Sequence, residues 1–192
     1  PDKSRFCRMI VCASGPSLDQ SLPQLKLLMD THFIVASASC YGTLRENGIR
    51  VDALTILERG YSVYDDYLSV IKKHGKDDAL LVTSSVSDIR LHSLFDKTVT
   101  YFRVSLTPFA LFSQKYHEHL PFDGPQAVNS AVSFALGFRP QSLLLVGVDL
   151  GTRDLNKVRS KGAVGISPRT LNIEKTANLE PNETAYTDTY MT

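Results

Sequence analysis

The sequence predicts a doubly wound α/β fold with a mostly parallel, Rossmann-like sheet, followed by a basic, lid-like C-terminal segment. Short apolar runs rich in Val, Ile and Leu alternate with helical patterns from Met9 to Gly151. Alternation of this kind is typical of a parallel sheet with helices on its faces. Several runs are apolar without interruption, as expected for strands that are covered on both faces.

The predicted elements follow one another as strand, then helix. The stretch Val63–Lys73, for example, repeats its apolar residues at helical spacing. The predicted strands are Met9–Ala13, Phe33–Ser37, Ala53–Leu57, Ala79–Thr83, Val99–Arg103 and Ser142–Val146. The predicted helices are Leu22–Asp30, Tyr41–Asn47, Val63–Lys73, Asp88–Phe95, Pro108–His119 and Gln126–Leu136.

Composition narrows the class of protein. At 192 residues the chain is long enough for one domain with a substantial core. Its 21 Lys and Arg nearly balance 20 Asp and Glu, which argues against a nucleic-acid binder with its basic excess. No apolar run approaches the roughly 20 residues that span a bilayer, and no signal peptide opens the chain. The three cysteines lack metal-ligand spacing, so we expect a reduced, cytoplasmic protein.

The first predicted strand stops at Ser14-Gly15-Pro16-Ser17. Gly15 can take backbone angles closed to other residues, and Pro16 has no N–H to donate. Ser17 is a good N-cap for the following helix. Free backbone N–H groups at such a helix start form an anion site, where a nucleotide phosphate would bind. A plain strand-to-helix turn with a capping serine explains the pattern equally well.

A second motif closes the alternating region. Gly124-Pro125 opens a helix with a face of small residues, Gly137 closes it, and the last predicted strand runs into Gly147 and Asp149. A carboxylate just past a buried strand would face the same crevice as Ser17, because ligands on such sheets bind beyond the carboxyl ends of the strands. An Asx-turn or a helix cap is the alternative for Asp149.

The character of the chain changes after Gly151. Residues 152–180 carry six basic residues against three acidic ones, and Gly162, Gly165 and Pro168 interrupt any regular element. Such a segment is either a phosphate-covering lid or a solvated, mobile loop. We therefore expect a nucleotide-binding core over 1–151 and a C-terminal lid over 152–192 of the same domain. Since the chain begins at Pro1 and ends on a polar segment, we also expect it to belong to a longer protein.

Four features of the sequence, taken in order, resemble the motility-associated-factor family of flagellin glycosyltransferases. They are Gly15-Pro-Ser-Leu18, Val51-Asp52, the small-residue helix and Gly147-Val-Asp-Leu150. A weaker match lies at Thr184–Tyr190. The central domain of that family is similar to bacterial CMP-sialic-acid-dependent sialyltransferases, and 6-hydroxymethylpterin diphosphokinase-like proteins share the same core. The resemblance implies a CMP-linked, sialic-acid-like nonulosonic acid as donor, a glycan or protein acceptor such as flagellin, and no metal or other cofactor.

The resemblance also implies roles for particular residues. Val51 replaces a family proline before Asp52, and Glu58 stands where the family often has an aspartate. Ser39 lies near the position of a nucleotide-binding asparagine in the sialyltransferases. The implied nucleotide-binding residues are Ser14, Gly15, Pro16, Ser17, Leu18, Ser39, Asp52, Glu58, Gly124 and Asn129. The implied catalytic residues are Asp149 and two phosphate-binding hydroxyls, those of Tyr186 and Tyr190, for which an ordinary polar tail is the alternative.

One departure from the family leaves two further functions open. The sialyltransferases place a proposed general-base histidine after the last strand, whereas all five histidines here precede it. If the base is a histidine, it is either supplied by sequence that is missing here or not used. An inactive nucleotide-sugar-binding module is one of the two further functions. A diphosphokinase that transfers pyrophosphate from ATP would need Mg²⁺, for which Asp52, Glu58 and Asp149 are the only plausible ligands. Neither the oligomeric state nor the identity of the sugar follows from the sequence.

Overall fold

Six parallel strands form the central sheet of the computed structural model, which describes residues 3–103, 119–124, 126–154, 156–165, 173–175 and 186–188. The strands are β1 (Arg8–Cys12), β2 (Phe33–Ser37), β3 (Ala53–Ile56), β4 (Leu80–Ser84), β5 (Lys97–Tyr101) and β6 (Ser142–Val146). Their spatial order is β5-β4-β3-β2-β1-β6. The predicted doubly wound, parallel fold is confirmed.

Helices cover both faces of the sheet. The helices are α1 (Leu18–Leu28), α2 (Cys40–Glu46), α3 (Ser62–His74) and α4 (Ala127–Gly137), with 3₁₀ turns at Lys3–Cys7 and Ile89–Leu94. Alternate residues of β1 serve the two faces, since Ile10 packs in the core cluster with α1–α3 and Val11 packs in the cluster with α4. The small residues Ala131 and Ala135 are fully buried and let α4 approach the sheet closely, as predicted.

The element boundaries differ from the prediction in a few places. Helix α1 begins at Leu18 rather than Leu22 and contains Pro23, which a sequence reading takes as a helix start. The predicted helix Asp88–Phe95 is a 3₁₀ turn. A two-stranded antiparallel hairpin, β7 (Ile173–Lys175) with β8 (Tyr186–Asp188), was not predicted. Most of the predicted helix Pro108–His119 lies outside the described residues.

The strand order reverses between β1 and β6. The chain steps outward from β1 to β5 and then returns to place β6 on the other side of β1. In open α/β sheets ligands bind beyond the carboxyl ends of the strands at such a switch point. We call the region bordered by residues 13–17 and 147–151 the crevice. Both motifs found in the sequence therefore lie at the position that the fold favours for a ligand.

Membrane-spanning helices are not found in the part of the chain that the structure describes, because no helix there combines enough length with enough apolar character.

Candidate functional site

The loops after β1 and β6 meet in backbone contact at the crevice. Ala13 donates its N–H to the Val146 carbonyl at 2.8 Å, and Gly15 donates to the Gly147 carbonyl at 2.8 Å. A Cβ on Gly15 would lie 2.6 Å from the Gly147 oxygen and 2.5 Å from Asp149 Oδ2. Gly147 has a φ of 70°, whereas Gly15 does not have a positive φ. Gly15 is therefore required for close approach, and the prediction that it needs unusual backbone angles is wrong.

The carboxylate of Asp149 binds the start of α1. Its Oδ2 accepts the backbone N–H of Ser17 at 2.8 Å, and its Oδ1 accepts the Ser17 hydroxyl at 2.5 Å. The Leu18 N–H donates to the Gly15 carbonyl at 3.0 Å. The predicted anion site with free N–H groups at Ser17 and Leu18 is therefore wrong, because the protein's own carboxylate and carbonyl already accept them. A negative charge at this helix N-terminus is favourable.

Leu18 is a core residue rather than a surface of the crevice. Its side chain is fully buried in the cluster between the sheet and α1–α3. A Cβ on Gly147 would lie 2.9 Å from Leu18 Cβ, so the core extends directly under the loop after β6. The predicted contact of Leu18 with a nucleotide is thus not available to its side chain.

Two serine hydroxyls and one guanidinium form a cluster at the ends of β1 and β2. Ser14 Oγ and Ser39 Oγ are hydrogen-bonded at 2.8 Å. Arg159 Nη1 donates to Ser14 Oγ at 3.2 Å and to Ser39 Oγ at 3.0 Å. The two serines were predicted as nucleotide-binding residues, and the structure brings them together. Arg159 was not singled out, since the only signal for it was the basic composition of residues 152–180.

Residues 156–165, which we call the strap, are docked on the crevice. The Ser160 N–H donates to the Ser14 carbonyl at 2.8 Å, and the Val164 N–H donates to the Ser39 carbonyl at 2.8 Å. The hydroxyls of Ser160 and Thr43 are buried and hydrogen-bonded at 2.9 Å. For this part of the C-terminal segment, these contacts favour a docked segment over the alternative of a solvated loop.

Asp19 holds the strap from the first turn of α1. Its Oδ1 accepts the Lys161 N–H at 3.0 Å, and its Oδ2 pairs with Lys157 Nζ at 3.2 Å. Asp19 thus binds the strap at two points, and it is also the kind of acidic residue that is favourable at a helix start. Because the carboxylate and Lys157 are partly exposed, the ion pair itself contributes little to stability, and the backbone hydrogen bonds fix the strap.

Substitution of Gly42 by alanine is expected to release the strap. A Cβ on Gly42 would overlap the Gly162 carbonyl oxygen, although alanine is a better helix former by about 1 kcal/mol. Hydrogen exchange at Ser160 and Val164 should accelerate at least about tenfold while exchange in β1 is unchanged. Gly137→Ala, with nothing within 4 Å of its Cβ, is the matched control. Unchanged protection of both strap amides would show that this contact does not hold the strap.

Two residues at the carboxyl edge of the sheet have a strained backbone. Ala38, which follows β2, has a φ of 41°, and Leu150, which follows β6, has a φ of 53°. Residues with a Cβ rarely adopt positive φ, and such strain is concentrated at functional sites. Their position beyond the carboxyl ends of β2 and β6 agrees with a binding role for this edge of the sheet.

Three other predicted residues lie at the same edge but outside this group. Asn129 Nδ2 donates to the Gly124 carbonyl at 2.9 Å at the start of α4, so this pair closes a turn. Glu58 follows β3, is exposed, and accepts the Leu57 N–H at 3.0 Å. Among the described residues, no hydrogen bond links these three to Ser14, Ser17 or Asp149.

Asp52 lies at the opposite edge of the sheet, before β3. Its carboxylate accepts two hydrogen bonds from Arg5, at 2.9 and 2.6 Å, and one from the Ile34 N–H at 2.8 Å. Both partners of this ion pair are nearly buried. The family's nucleotide role for Asp52 therefore finds no support in its position, which is that of a structural residue joining the N-terminal turn to the sheet.

The two tyrosines of the tail are not placed in the crevice by what the structure describes. Tyr186 begins β8, and Tyr190 lies outside the described residues. Two of the five histidines, His117 and His119, precede the residues that open α4, and the sequence predicts that they could reach the crevice. His117 also lies outside the described residues. His119 is half-buried and forms a short parallel bridge with Phe102 near the end of β5.

The cysteines next to the crevice are protonated thiols. Burial raises the pKa of Cys40, the first residue of α2, to about 12, and raises the pKa of Cys12 well above its ordinary value. The Cys40 thiol donates to the Cys12 carbonyl. Because the thiolate is the nucleophilic form, neither cysteine is a candidate nucleophile.

The three carboxylates suggested for Mg²⁺ do not come together. Asp52 is bound by Arg5 at the edge of the sheet opposite to Glu58 and Asp149. Within the described ranges, no group of three His, Cys, Asp or Glu side chains could hold a metal ion. These residues therefore do not fit the divalent cation that a diphosphokinase needs.

Comparisons with known proteins agree with the fold. The sequence model of a family described as 6-hydroxymethylpterin diphosphokinase MptE-like matches residues 2–155. The solved structure of a MAf glycosyltransferase from Magnetospirillum magneticum AMB-1 is similar, with a TM-score of 0.78 and 27% sequence identity. That match covers 100% of this chain and 29% of the glycosyltransferase, so the chain spans less than a third of its length. A search of curated protein sequences gives no match.

Proposed function

Because the chain belongs to the MptE-like family and shares its fold with a MAf glycosyltransferase, we propose that it is a glycosyltransferase that uses a nucleotide-activated sugar. The donor is a CMP-linked, sialic-acid-like nonulosonic acid, and the acceptor is a glycan or a protein such as flagellin. The reaction takes place in the cytoplasm and needs no metal or other cofactor.

The observation that carries this proposal is the meeting of two loops at the switch point. Residues 13–17 and 147–151 are in direct backbone contact beyond the carboxyl ends of β1 and β6. This is the edge at which open α/β sheets bind nucleotides. The structural match to the glycosyltransferase covers the whole chain, so the crevice lies within the shared fold.

Transfer of the sugar breaks its bond to the donor phosphate, while the acceptor hydroxyl bonds to the sugar carbon and gives up its proton to a base or to solvent. The departing nucleotide gains negative charge, which the protein must stabilise with preorganised donors. Asp149 is held by Ser17 through one hydrogen bond on each oxygen, and each oxygen keeps a free acceptor position. In this proposal Asp149 accepts a hydrogen bond from a hydroxyl of the acceptor or of the nucleotide, while the hydroxyls of Tyr186 and Tyr190 donate hydrogen bonds to the phosphate.

The remaining predicted residues surround the nucleotide. Gly15, Pro16 and Ser17 shape the loop after β1, and Ser14 and Ser39 contribute hydroxyls. Glu58, Gly124 and Asn129 border the same edge at the end of β3 and the start of α4. We assign no nucleotide contact to Asp52 or to the Leu18 side chain, because the first lies at the opposite edge and the second is buried.

One alternative has a specific observation in its favour. The description of the matching family names a pterin diphosphokinase, which would transfer pyrophosphate from ATP. The separation of Asp52 from Glu58 and Asp149 argues against it. An inactive nucleotide-sugar-binding domain is the third possibility, since no histidine follows β6 in the sequence.

A thermal-shift panel of nucleotides separates the first two functions. A ligand that binds only the folded state stabilises it by about 2.7 kcal/mol at a hundred times its Kd. We expect CMP to raise the Tm without Mg²⁺ and ATP to raise it less. Cytidine is the control for the phosphate. A preference for ATP that requires Mg²⁺ would favour the diphosphokinase and contradict the glycosyltransferase.

A further inference from the structure

We propose that Arg159, together with the hydroxyls of Ser14 and Ser39, binds the phosphate of the donor. The inference rests on the proposed function, in that it assigns the phosphate of a nucleotide-sugar to a particular place in the crevice. It adds Arg159, a residue of the strap, to the predicted tyrosines as a phosphate-binding group.

The cluster offers several hydrogen-bond donors to an anion. Arg159 uses Nη1 for the two serines, while its Nη2 and Nε–H groups have no acceptor among the described residues. The two serine hydroxyls share one proton between them, which leaves the other proton for a ligand. A guanidinium with adjacent donors matches the geometry of phosphate oxygens and binds them by charge-assisted hydrogen bonds.

The charge of Arg159 is not neutralised within the described chain. The neighbouring cation Lys157 differs in this respect, because it pairs with Asp19. Lys73 lowers the pKa of Glu46 most, and Lys161 adds the weakest effect in the same direction. Among the described residues, the partners of Arg159 are two hydroxyl oxygens, which are neutral. A guanidinium placed on neutral oxygens favours the approach of an anion.

The start of α1 is closed to the same anion. Its first N–H and the Ser17 hydroxyl are bound by Asp149, whose negative charge repels a phosphate. The Ser14–Ser39–Arg159 cluster lies at the ends of the adjacent strands β1 and β2, beside that occupied position. The phosphate therefore binds next to the helix start rather than on it.

The backbone of the strap holds Arg159 in position. Ser160, the next residue, donates its N–H to the Ser14 carbonyl at 2.8 Å and bonds its hydroxyl to Thr43 at 2.9 Å. Lys157, two residues earlier, is tied to Asp19. Arg159 thus stands between two anchored points, and less ordering is needed when a ligand binds.

The test is calorimetric titration of the full chain with inorganic pyrophosphate, CMP and cytidine. Wild-type protein should bind CMP at least about tenfold more tightly than cytidine, because only CMP offers an anion to the guanidinium. Arg159→Met should weaken CMP and pyrophosphate at least about tenfold and leave cytidine unchanged. Lys161→Met removes a positive charge two residues away, and its affinity for CMP and pyrophosphate should stay within about twofold of wild type. The double variant Ser14→Ala, Ser39→Ala tests the hydroxyls and should also weaken CMP.

The outcomes separate the two proposals. Equal CMP binding by wild type and Arg159→Met would overturn the phosphate site and leave the proposed function standing. Arg159-dependent binding of pyrophosphate without binding of CMP would keep the phosphate site and overturn the proposed donor. An equal loss in Arg159→Met and Lys161→Met would show that general charge, not this cluster, attracts the anion. Since Arg159 is exposed, an unchanged Tm should accompany its replacement.

Discussion

Replacement of Gly15 by valine is expected to abolish nucleotide binding. A Cβ at this position would meet the Gly147 carbonyl at 2.6 Å and the Asp149 carboxylate at 2.5 Å, so the loops after β1 and β6 must separate. Forcing a larger side chain into such a contact costs about 1–3 kcal/mol. The movement displaces the adjacent Ser14, whose carbonyl anchors the strap and whose hydroxyl contacts Arg159.

Binding of CMP and the free energy of unfolding should both be measured for this variant. Gly60→Val is the matched control, because Gly60 lies on the same edge after β3 and its Cβ would make only ordinary contacts, the nearest at 3.7 Å from Ser62 Oγ. We expect CMP affinity to fall at least about a hundredfold in Gly15→Val and to stay near wild type in the control. Normal CMP binding by a folded Gly15→Val protein would place the nucleotide elsewhere.

Replacement of Asp149 by asparagine is the second change with a large expected effect. The sequence alone predicts near-normal stability, because asparagine caps helices about as well as aspartate. The structure revises this, since both carboxylate oxygens accept hydrogen bonds from Ser17 and the charge faces the start of α1. We expect a loss of about 1 kcal/mol of stability. Transfer activity should fall at least about tenfold, which corresponds to about 1.4 kcal/mol in the barrier.

Ser17→Ala distinguishes capping from chemistry at this site. It removes one of the two hydrogen bonds to Asp149 and keeps the carboxylate. If Asp149 only caps α1, both variants should be less stable than wild type. Neither should then lose more activity than its lower stability explains. We expect the activity loss in Asp149→Asn and a smaller one in Ser17→Ala. Full activity of a stable Asp149→Asn protein would contradict the catalytic assignment.

The sheet could be predicted because its strands are marked by local sequence. β2 and β6 begin and end where the apolar runs do, at Phe33–Ser37 and Ser142–Val146. For α1 the sequence gives two different starts. Ser17 as N-cap agrees with a helix that begins at Leu18, whereas a helix that begins at Leu22 does not, because Pro23 lies inside α1 although proline usually marks a first turn. The carboxylate that binds the start of α1 comes from Asp149, 132 positions away.

The site was harder to predict because its contacts are distant in sequence. Ser17 and Asp149 are separated by 132 positions, and Arg159 and Ser14 by 145. The fold places both motifs at one edge, so their proximity could be expected. The binding of Asp149 to the helix start could not be expected, because the same motif is compatible with a free anion site. Arg159 carries no local signature at all.

Asp52 shows the opposite case, in which a motif matched but its position did not. A carboxylate before a strand and one after a strand are equally polar in the sequence. The predicted strand Ala53–Leu57 follows Asp52, which in a parallel sheet places this residue at the amino edge, and there Arg5 binds it with two hydrogen bonds. The family role of Asp52 therefore disagreed with the predicted strand as well as with the structure.

A crystal structure of the chain with CMP tests most directly whether the crevice is the donor site. We expect the nucleotide beside residues 13–17 and the strap, with its phosphate within hydrogen-bond distance of Arg159 and of the Ser14 or Ser39 hydroxyl. The Asp149 carboxylate should remain on Ser17. A nucleotide bound at the amino edge near Asp52, or one whose phosphate displaces Asp149 from the start of α1, would contradict this assignment.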